Sequence, residues 1–370
     1  MADPITLAES SGVEPSQTRA PESGVSDSGV PTPPASKTAR AATRYATAIV
    51  LFGALFLAMG GVGSIGVWIS ALAVGLTLSS AAIGVYLTFR VLDFPDLTVE
   101  GSFALGGAVT GLMMTNGYSP FATLPAAFTA SALAGLLTGV IATRLKIHSL
   151  LASIIVTTGL FSINLRILGR SNLPLLSEGS FLSPFQEGFK GFIRGALGDD
   201  QVRYANNLLA IIMVGCFVVV IKLLVDWFMA SELGTAMRAS GDSPQMMRAL
   251  GRNTNSYIIF GVGLANGLTG LAGSLASQFQ GFSDVNQGLG LIIGGLAAVV
   301  IGETIFRPRT LPQATAAVVG GMLIYRLAVA AALTINFGGF RFDAADVKFV
   351  TAALLLITLA SSRVSRLGGQ

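Results

Sequence analysis

Apolar runs of roughly 17–23 residues recur along most of this chain, the length a helix needs to cross about 30 Å of hydrocarbon at 1.5 Å per residue. The runs predict ten spans, over residues 45–63, 67–89, 98–116, 121–143, 149–168, 207–229, 256–278, 286–302, 311–334 and 347–361. Only a few small residues around Ser64 separate the first two, which leaves open one kinked or shallow opening segment. Residues 1–44 have the opposite pattern. They are rich in Pro, Ser, Gly and acidic residues, and too poor in apolar surface to offset the entropy of ordering, so a disordered tail is expected. The first apolar region starts near Tyr45, too late for a signal peptide. Within the spans, small residues recur at four-residue spacing (Gly107 and Gly111, Gly135 and Gly139, Gly263 and Gly267), which lets helix backbones approach closely.

One interruption breaks the pattern. "ELGTAMRASGDSPQMMRALGRNTN", from Glu232, is polar and helix-forming, and it lies between two spans. A helix is predicted over 232–240, ended by Gly241. Asp242 or Ser243 then caps a second helix, Pro244 suits its first turn, and Gln245 to Leu250 completes less than two turns before Gly251. So short a helix is not stable alone in water and must pack on its own protein or on a partner. It offers Met246, Met247 and Leu250 as adaptable apolar contacts and Arg248 for a carboxylate, with Arg238 one helix earlier. Two readings stand: a structured loop on the membrane surface, or a docking element that passes force from a soluble motor.

Composition supports a membrane protein. The chain is 52% hydrophobic and 11% charged, with a mean hydropathy of +0.70, whereas a soluble domain is roughly 25% charged. The fold class is therefore all-α, a polytopic helical membrane protein of about ten transmembrane helices. Lys and Arg placement orients it. With both termini cytoplasmic, Arg40, Arg44, Arg90, Arg144, Lys146, Arg238, Arg248, Arg252, Arg307, Arg309, Arg363 and Arg366 all lie inside. The turns near Asn116 and Gly281 carry none, and the long 166–203 segment, with Arg166, Arg170, Lys190, Arg194 and Arg203, is the exception. Within that segment, "FQEGFKGFIRGAL" reads as an amphipathic surface helix or as part of a receiving face for a binding protein. Cys216 has no partner for a disulfide, and His148 follows Arg144 and Lys146 as an interfacial residue. No basic stripe interleaves with aromatics, so nucleic acid is not an expected partner.

Polar residues within spans are expensive and are treated as functional candidates. Asn164, Arg166, Asn266, Gln278, Gln280, Asn286 and Arg326 are the expected solute pathway. Helix–helix hydrogen bonding or interfacial solvation is the competing reading for the first six, and Arg326 has three readings: balancing a substrate carboxylate, pairing with an acidic residue or snorkelling outward. Asp93, Asp96 and Glu100 are placed at the cytoplasmic start of a span, where carboxylates suit the positive helix end. A magnesium-diphosphate enzyme would need a second aspartate cluster on a neighbouring loop, and none is present. Nor is there a nucleophile–base pair, an H-E-x-x-H or a P-loop.

The interlude, with "GLANGLTGLAGSLASQFQGFSDVNQGLGLIIGGLAAVVIGETIF", "GVYLTFRVLDFPDLTVEGSFALGGAV" and "LLASIIVTTGLFSINLRILGRSNLPLL", resembles the permease subunits of bacterial ABC importers. The similarity is to the branched-chain amino acid and ribose permease superfamily, nearest its tryptophan/tyrosine-type branch. It covers residues 67–370, leaving 1–44 as tail and 45–66 as an extra span. The resemblance implies that region 231–255 holds the coupling helix, with Arg238, Gly241, Asp242, Ser243, Pro244, Gln245, Met246, Met247, Arg248, Leu250 and Gly251 at the ATPase contact. It further implies a bacterial inner-membrane protein working as a homodimer in lipid, with separate ATPase subunits that bind ATP and Mg, and an extracytoplasmic substrate-binding protein. The implied cargo is a small solute moved by alternating access, an amino acid, with an aromatic one as the finer suggestion of that branch. An ion-gradient-driven secondary transporter is the alternative.

Overall fold

Every long apolar run within the described residues is helical in the structure, a computed structural model that describes residues 65–197, 202, 205–334, 336–337, 340–341, 349, 351–353 and 356. The tail, the span at 45–63 and most of the span at 347–361 lie outside them. The helices are α1 (Ile65–Tyr86, continued by a π-turn over Leu87–Val91), α2 (Thr98–Thr115), α3 (Pro120–Arg144) and α4 (Ser149–Leu168). They are followed by α5 (Ser183–Leu197), α6 (Ala205–Ala230), the short α7 (Glu232–Asp242) and α8 (Pro244–Ala249), α9 (Thr254–Gln280), α10 (Leu291–Phe306) and α11 (Leu311–Thr334). Six are long and apolar enough to cross a membrane by length and composition. Two short strands, β1 (Asn172–Pro174) and β2 (Phe282–Asp284), pair antiparallel at the end of the bundle opposite α7 and α8.

Local signals explain the helix ends. His148 caps α4, its Nδ1 accepting from Leu150 N at 3.3 Å, and Gly169 closes that helix in the left-handed conformation. The predicted span at 286–302 starts late. Asn286 to Gly290 form turns, Gly290 has φ +87°, and α10 begins only at Leu291. Asp284 causes part of this, because its Oδ1 accepts from Asn286 N at 2.7 Å and holds the chain in a turn.

α9 forms the centre. It runs antiparallel to α3, with Gly135 and Gly139 of α3 against Asn266 and Ile259, and Gly263 and Gly267 of α9 against Leu136 and Phe128. It runs parallel to α2, to which Ser102–Asn266 and Thr110–Ser274 hydrogen bonds join it. α2 and α9 approach so closely that a Cβ at Gly106 would fall on the Gly270 carbonyl. Gly106→Val is therefore expected to cost about 3 kcal/mol or more of helix association, because the obstacle is backbone and cannot rotate away. Size-exclusion chromatography after detergent extraction should show the loss as aggregated protein, and a monodisperse, wild-type profile would refute the close contact.

The bundle repeats itself. Val74-Gly75-Leu76, Phe94, Asp96 and Gly106-Gly107 recur, at one constant interval, as Val262-Gly263-Leu264, Phe282, Asp284 and Gly294-Gly295. Thr123-Leu124-Pro125 recurs as Thr310-Leu311-Pro312, one residue short of that interval. The backbone agrees: Asp93 and Gly281, both at positive φ, occupy equivalent places. So do the contacts, since Gly75 seats Leu323 just as Gly263 seats Leu136. α1 and α9 are antiparallel, with Gly84 facing Ala265 and Thr269, and Leu92 facing Gly261. The unit α1–α3 therefore recurs as α9–α11 in the opposite sense, an inverted repeat.

Candidate functional site

At one end of the bundle, α7 and α8 form the predicted helix–corner–helix. Ser231 caps α7, accepting from Gly234 N at 3.3 Å. Ser243, one of two cap candidates, ends α7 and caps α8 by accepting from Met246 N at 3.4 Å, with Pro244 in the first turn. Gly251, at φ +74°, ends α8. Gly241 does not end α7. It lies inside that helix, where a Cβ would strike the Val91 carbonyl, so its smallness serves the packing of α7 on the end of α1.

The contact set divides by burial. Met247 is 6% exposed and Met237 fully buried, so these two methionines anchor the helix pair. Met246 and Leu250, 52% and 68% exposed, face away with Gln245, Asp242 and Arg248. Arg238 is half-buried, its Nη2 donating to Thr235 Oγ1 at 3.5 Å. Arg248 also donates from Nε to Thr254 Oγ1 at 3.3 Å. Beside α8 opens a cleft of about 570 Å³ that gathers Lys146, Arg248 and Arg252 with Ser149 and Asn253, a basic surface suited to carboxylates.

The predicted pathway residues separate into three groups. Asn164, Asn266 and Gln278 are buried and lock helices together, so they line neither this cleft nor the cavity described below. Asn266 donates from Nδ2 to Asp96 Oδ2 at 2.6 Å and to Val262 O at 2.9 Å, and accepts from Ser102 Oγ at 2.7 Å. Gln278 donates to Thr123 Oγ1 and Pro120 O and accepts from Phe181 N, and Asn164 donates to Gly101 O. Each supplies hydrogen bonds that lipid cannot. Arg166 and Asn286 are exposed at the β1–β2 end. Gln280 and Arg326 line the cavity described below.

Two of the three acidic residues, Asp96 and Glu100, also move from their expected place, while Asp93 is exposed. Thr98, the first residue of α2, bonds Thr138 at 2.8 Å, and the Leu97 carbonyl accepts from Thr157. Both partners lie well inside α3 and α4, so α2 begins within the bundle and not at its end. Asp96 is therefore fully buried, its Oδ1 accepting from Thr98 N at 2.8 Å. Glu100 projects the other way, towards the loop that precedes α10, and its Oε1 accepts from Gly290 N at 2.9 Å.

There a cavity of about 530 Å³ opens between α1, α2, α10 and α11. Glu100, Phe103, Gln280, Gln287, Tyr325 and Arg326 line it. Gln287 holds its place by donating from Nε2 to Gln280 Oε1 at 3.3 Å and accepting from Ser277 Oγ at 3.2 Å. Sequence reasoning missed Glu100, Gln287, Phe103 and Tyr325 as lining residues. The internal repeat was the available signal: Leu78, on the cavity wall, occupies the position that Asn266 fills in the other unit.

Compared with known proteins, residues 67–359 match the family described as the permease component of the branched-chain amino acid transport system. The tyrosine transport system permease protein of Clostridioides difficile is 36% identical over 297 residues, covering 80% of this chain and 92% of that protein. The autoinducer 2 import system permease protein of Salmonella typhi is 28% identical over 267 residues, 70% of each chain. Among solved structures, an inward-facing ABC transporter of metal-chelate type aligns over 87% of this chain and 98% of that one. Its identity is 12% and its TM-score 0.44, too distant to inform this chain.

Proposed function

The chain belongs to the family of permease components of branched-chain amino acid transport systems, and from that premise we propose that it is the membrane subunit of an ATP-driven amino acid importer. The observation that carries the ATP-driven part is α8, a helix too short to persist unaided, anchored by Met247 while presenting Met246, Leu250 and Arg248 outward. Its end of the bundle is the cytoplasmic one, and its partners are two separate ATPase subunits that hold ATP and Mg. A second copy of the permease completes the pathway, and an extracytoplasmic binding protein delivers solute at the β1–β2 end. The membrane is a bacterial inner membrane. The name of the Clostridioides difficile relative supports an amino acid, specifically an aromatic one, as cargo.

The mechanism is alternating access, with force entering at α8. α7 rests on the end of α1 through Gly241, and Met237 packs with Leu92 and Phe94 at the entrance to the 92–97 connection. That connection carries Asp96, bonded to α9, and leads into Glu100 at the cavity. A displacement of α8 is thus relayed through contiguous packed groups to the solute cavity.

Proteoliposomes containing the permease, its ATPase and its binding protein test the reading. Import of radiolabelled L-tyrosine is expected to require ATP inside and to persist when ionophores collapse every ion gradient. Import that follows an ion gradient, with the ATPase omitted, would make the protein a secondary transporter and sink the proposal.

A further inference from the structure

We infer that the cavity between α1, α2, α10 and α11 binds the charged head of an amino acid zwitterion, with Arg326 receiving the carboxylate and Glu100 facing the ammonium. The inference rests on the importer reading above and gives it a site. Arg326 leaves α11 in a seam against Gly75 of α1, where a Cβ on that glycine would lie 3.4 Å from Arg326 Cβ. Its Nε is buried without a hydrogen-bond partner among the described residues. Its Cζ lies 6.0 Å from the centroid of the Tyr325 ring, whose hydroxyl shares a 2.7 Å hydrogen bond with Thr351. A guanidinium taken out of water calls for an anion, and its planar fork suits a carboxylate held by two parallel bonds. Glu100 supplies the opposite charge on the same wall, fixed at the start of α10 by Gly290 N.

The remaining lining fits an amino acid better than a neutral solute. Phe103 and Tyr325 give apolar ring surface for a side chain, and Gln280 and Gln287 add amide donors and acceptors. A sugar would satisfy the amides yet make use of neither charge. The repeat accounts for the different packing at this junction. At one junction between the two units Asn266 of α9 ties Asp96 to Ser102 and closes the helices together. At the equivalent junction Leu78 stands in place of Asn266 and Asp284 bonds Asn172 and Asn286 instead, so the polar tie has no counterpart between α1 and the loop before α10.

Binding to the purified permease in lipid nanodiscs, measured with L-tyrosine, tyramine (no carboxylate) and p-hydroxyphenylpropionate (no ammonium), tests the assignment. Both analogues are expected to bind at least about 30-fold more weakly than L-tyrosine, and Arg326→Gln should lose a similar factor for L-tyrosine while ceasing to discriminate against tyramine. Because Arg326→Gln could fail to fold, Leu289→Cys at the cavity rim, in a Cys216→Ala background, gives a second reading. L-Tyrosine should protect that cysteine from a thiol reagent, and tyramine should not. Tyrosine import by the complete system without any protection at Leu289→Cys, or with unchanged affinity in Arg326→Gln, overturns the site and leaves the importer reading standing. Import of a neutral sugar and no amino acid overturns both.

Discussion

Met246→Ala combined with Arg248→Glu is expected to give a protein that inserts and purifies normally but neither stimulates its ATPase nor imports solute. Met246 is 52% exposed and Arg248 also faces solvent, so neither side chain contributes to the bundle interior. Truncating the methionine removes about 1–2 kcal/mol of apolar burial against a partner. Reversing the arginine charge turns attraction to a carboxylate into repulsion in a cleft that already holds Lys146 and Arg252. Together they are expected to weaken the contact on the order of 100-fold. Thermal unfolding should stay close to wild type, because the folded-state loss is one 3.3 Å bond from Arg248 to Thr254. Met247→Ala provides the contrast: that side chain is buried, so its loss should lower stability first. Co-purification with the ATPase and uptake at wild-type levels in the double variant would reduce α8 to an ordinary surface loop.

The second large effect lies at the centre of the bundle. Asn266→Leu removes the donor to Asp96 and the acceptor for Ser102, the latter a bond across α2 and α9, all at fully buried positions. The carboxyl of Asp96 keeps its bond from Thr98 N, and its burial keeps solvent from replacing the amide. The expected cost is about 2–4 kcal/mol, seen as a lower unfolding temperature in detergent. Asp96→Asn should cost less, since a neutral amide can still accept from Thr98 N. The double variant should be less destabilised than the sum of the two, the mark of a shared bond. Asn266→Leu protein that melts like wild type yet transports nothing would return Asn266 to the solute pathway.

Much of the architecture is already present in local pattern. The spans at 149–168 and 311–334 coincide with α4 and α11, because the length of an apolar run and the residues that cap it are properties of neighbours in sequence. The corner at Ser243-Pro244 and the stop at Gly251 are legible for the same reason. The roles of the polar residues within those spans are not. Asn266 and Arg326 have the same signature, one polar group in an apolar run, yet one closes a helix interface and the other enters a cavity. The difference lies in which distant side chain each one meets.

Gly241 shows the same limit on a smaller scale. A glycine after a helical stretch has the pattern of a cap, and only the approach of the Val91 carbonyl reveals a packing role. Glu100 has the signature of helix-end charge because its sequence neighbours are a helix start, and that start proves to be buried within the bundle. The inverted repeat is written in the sequence, but as scattered identities between two ordinary apolar runs, and it becomes evident once the same contacts are seen twice. Hydrophobic periodicity and capping, being local, determined from sequence alone that the described chain is a bundle of membrane-length helices with a polar helix pair between two of them. Which polar groups satisfy one another and which are left facing a cavity was decided only by the tertiary structure, because in a low-dielectric interior that choice belongs to pairs of residues brought together from opposite ends of the chain.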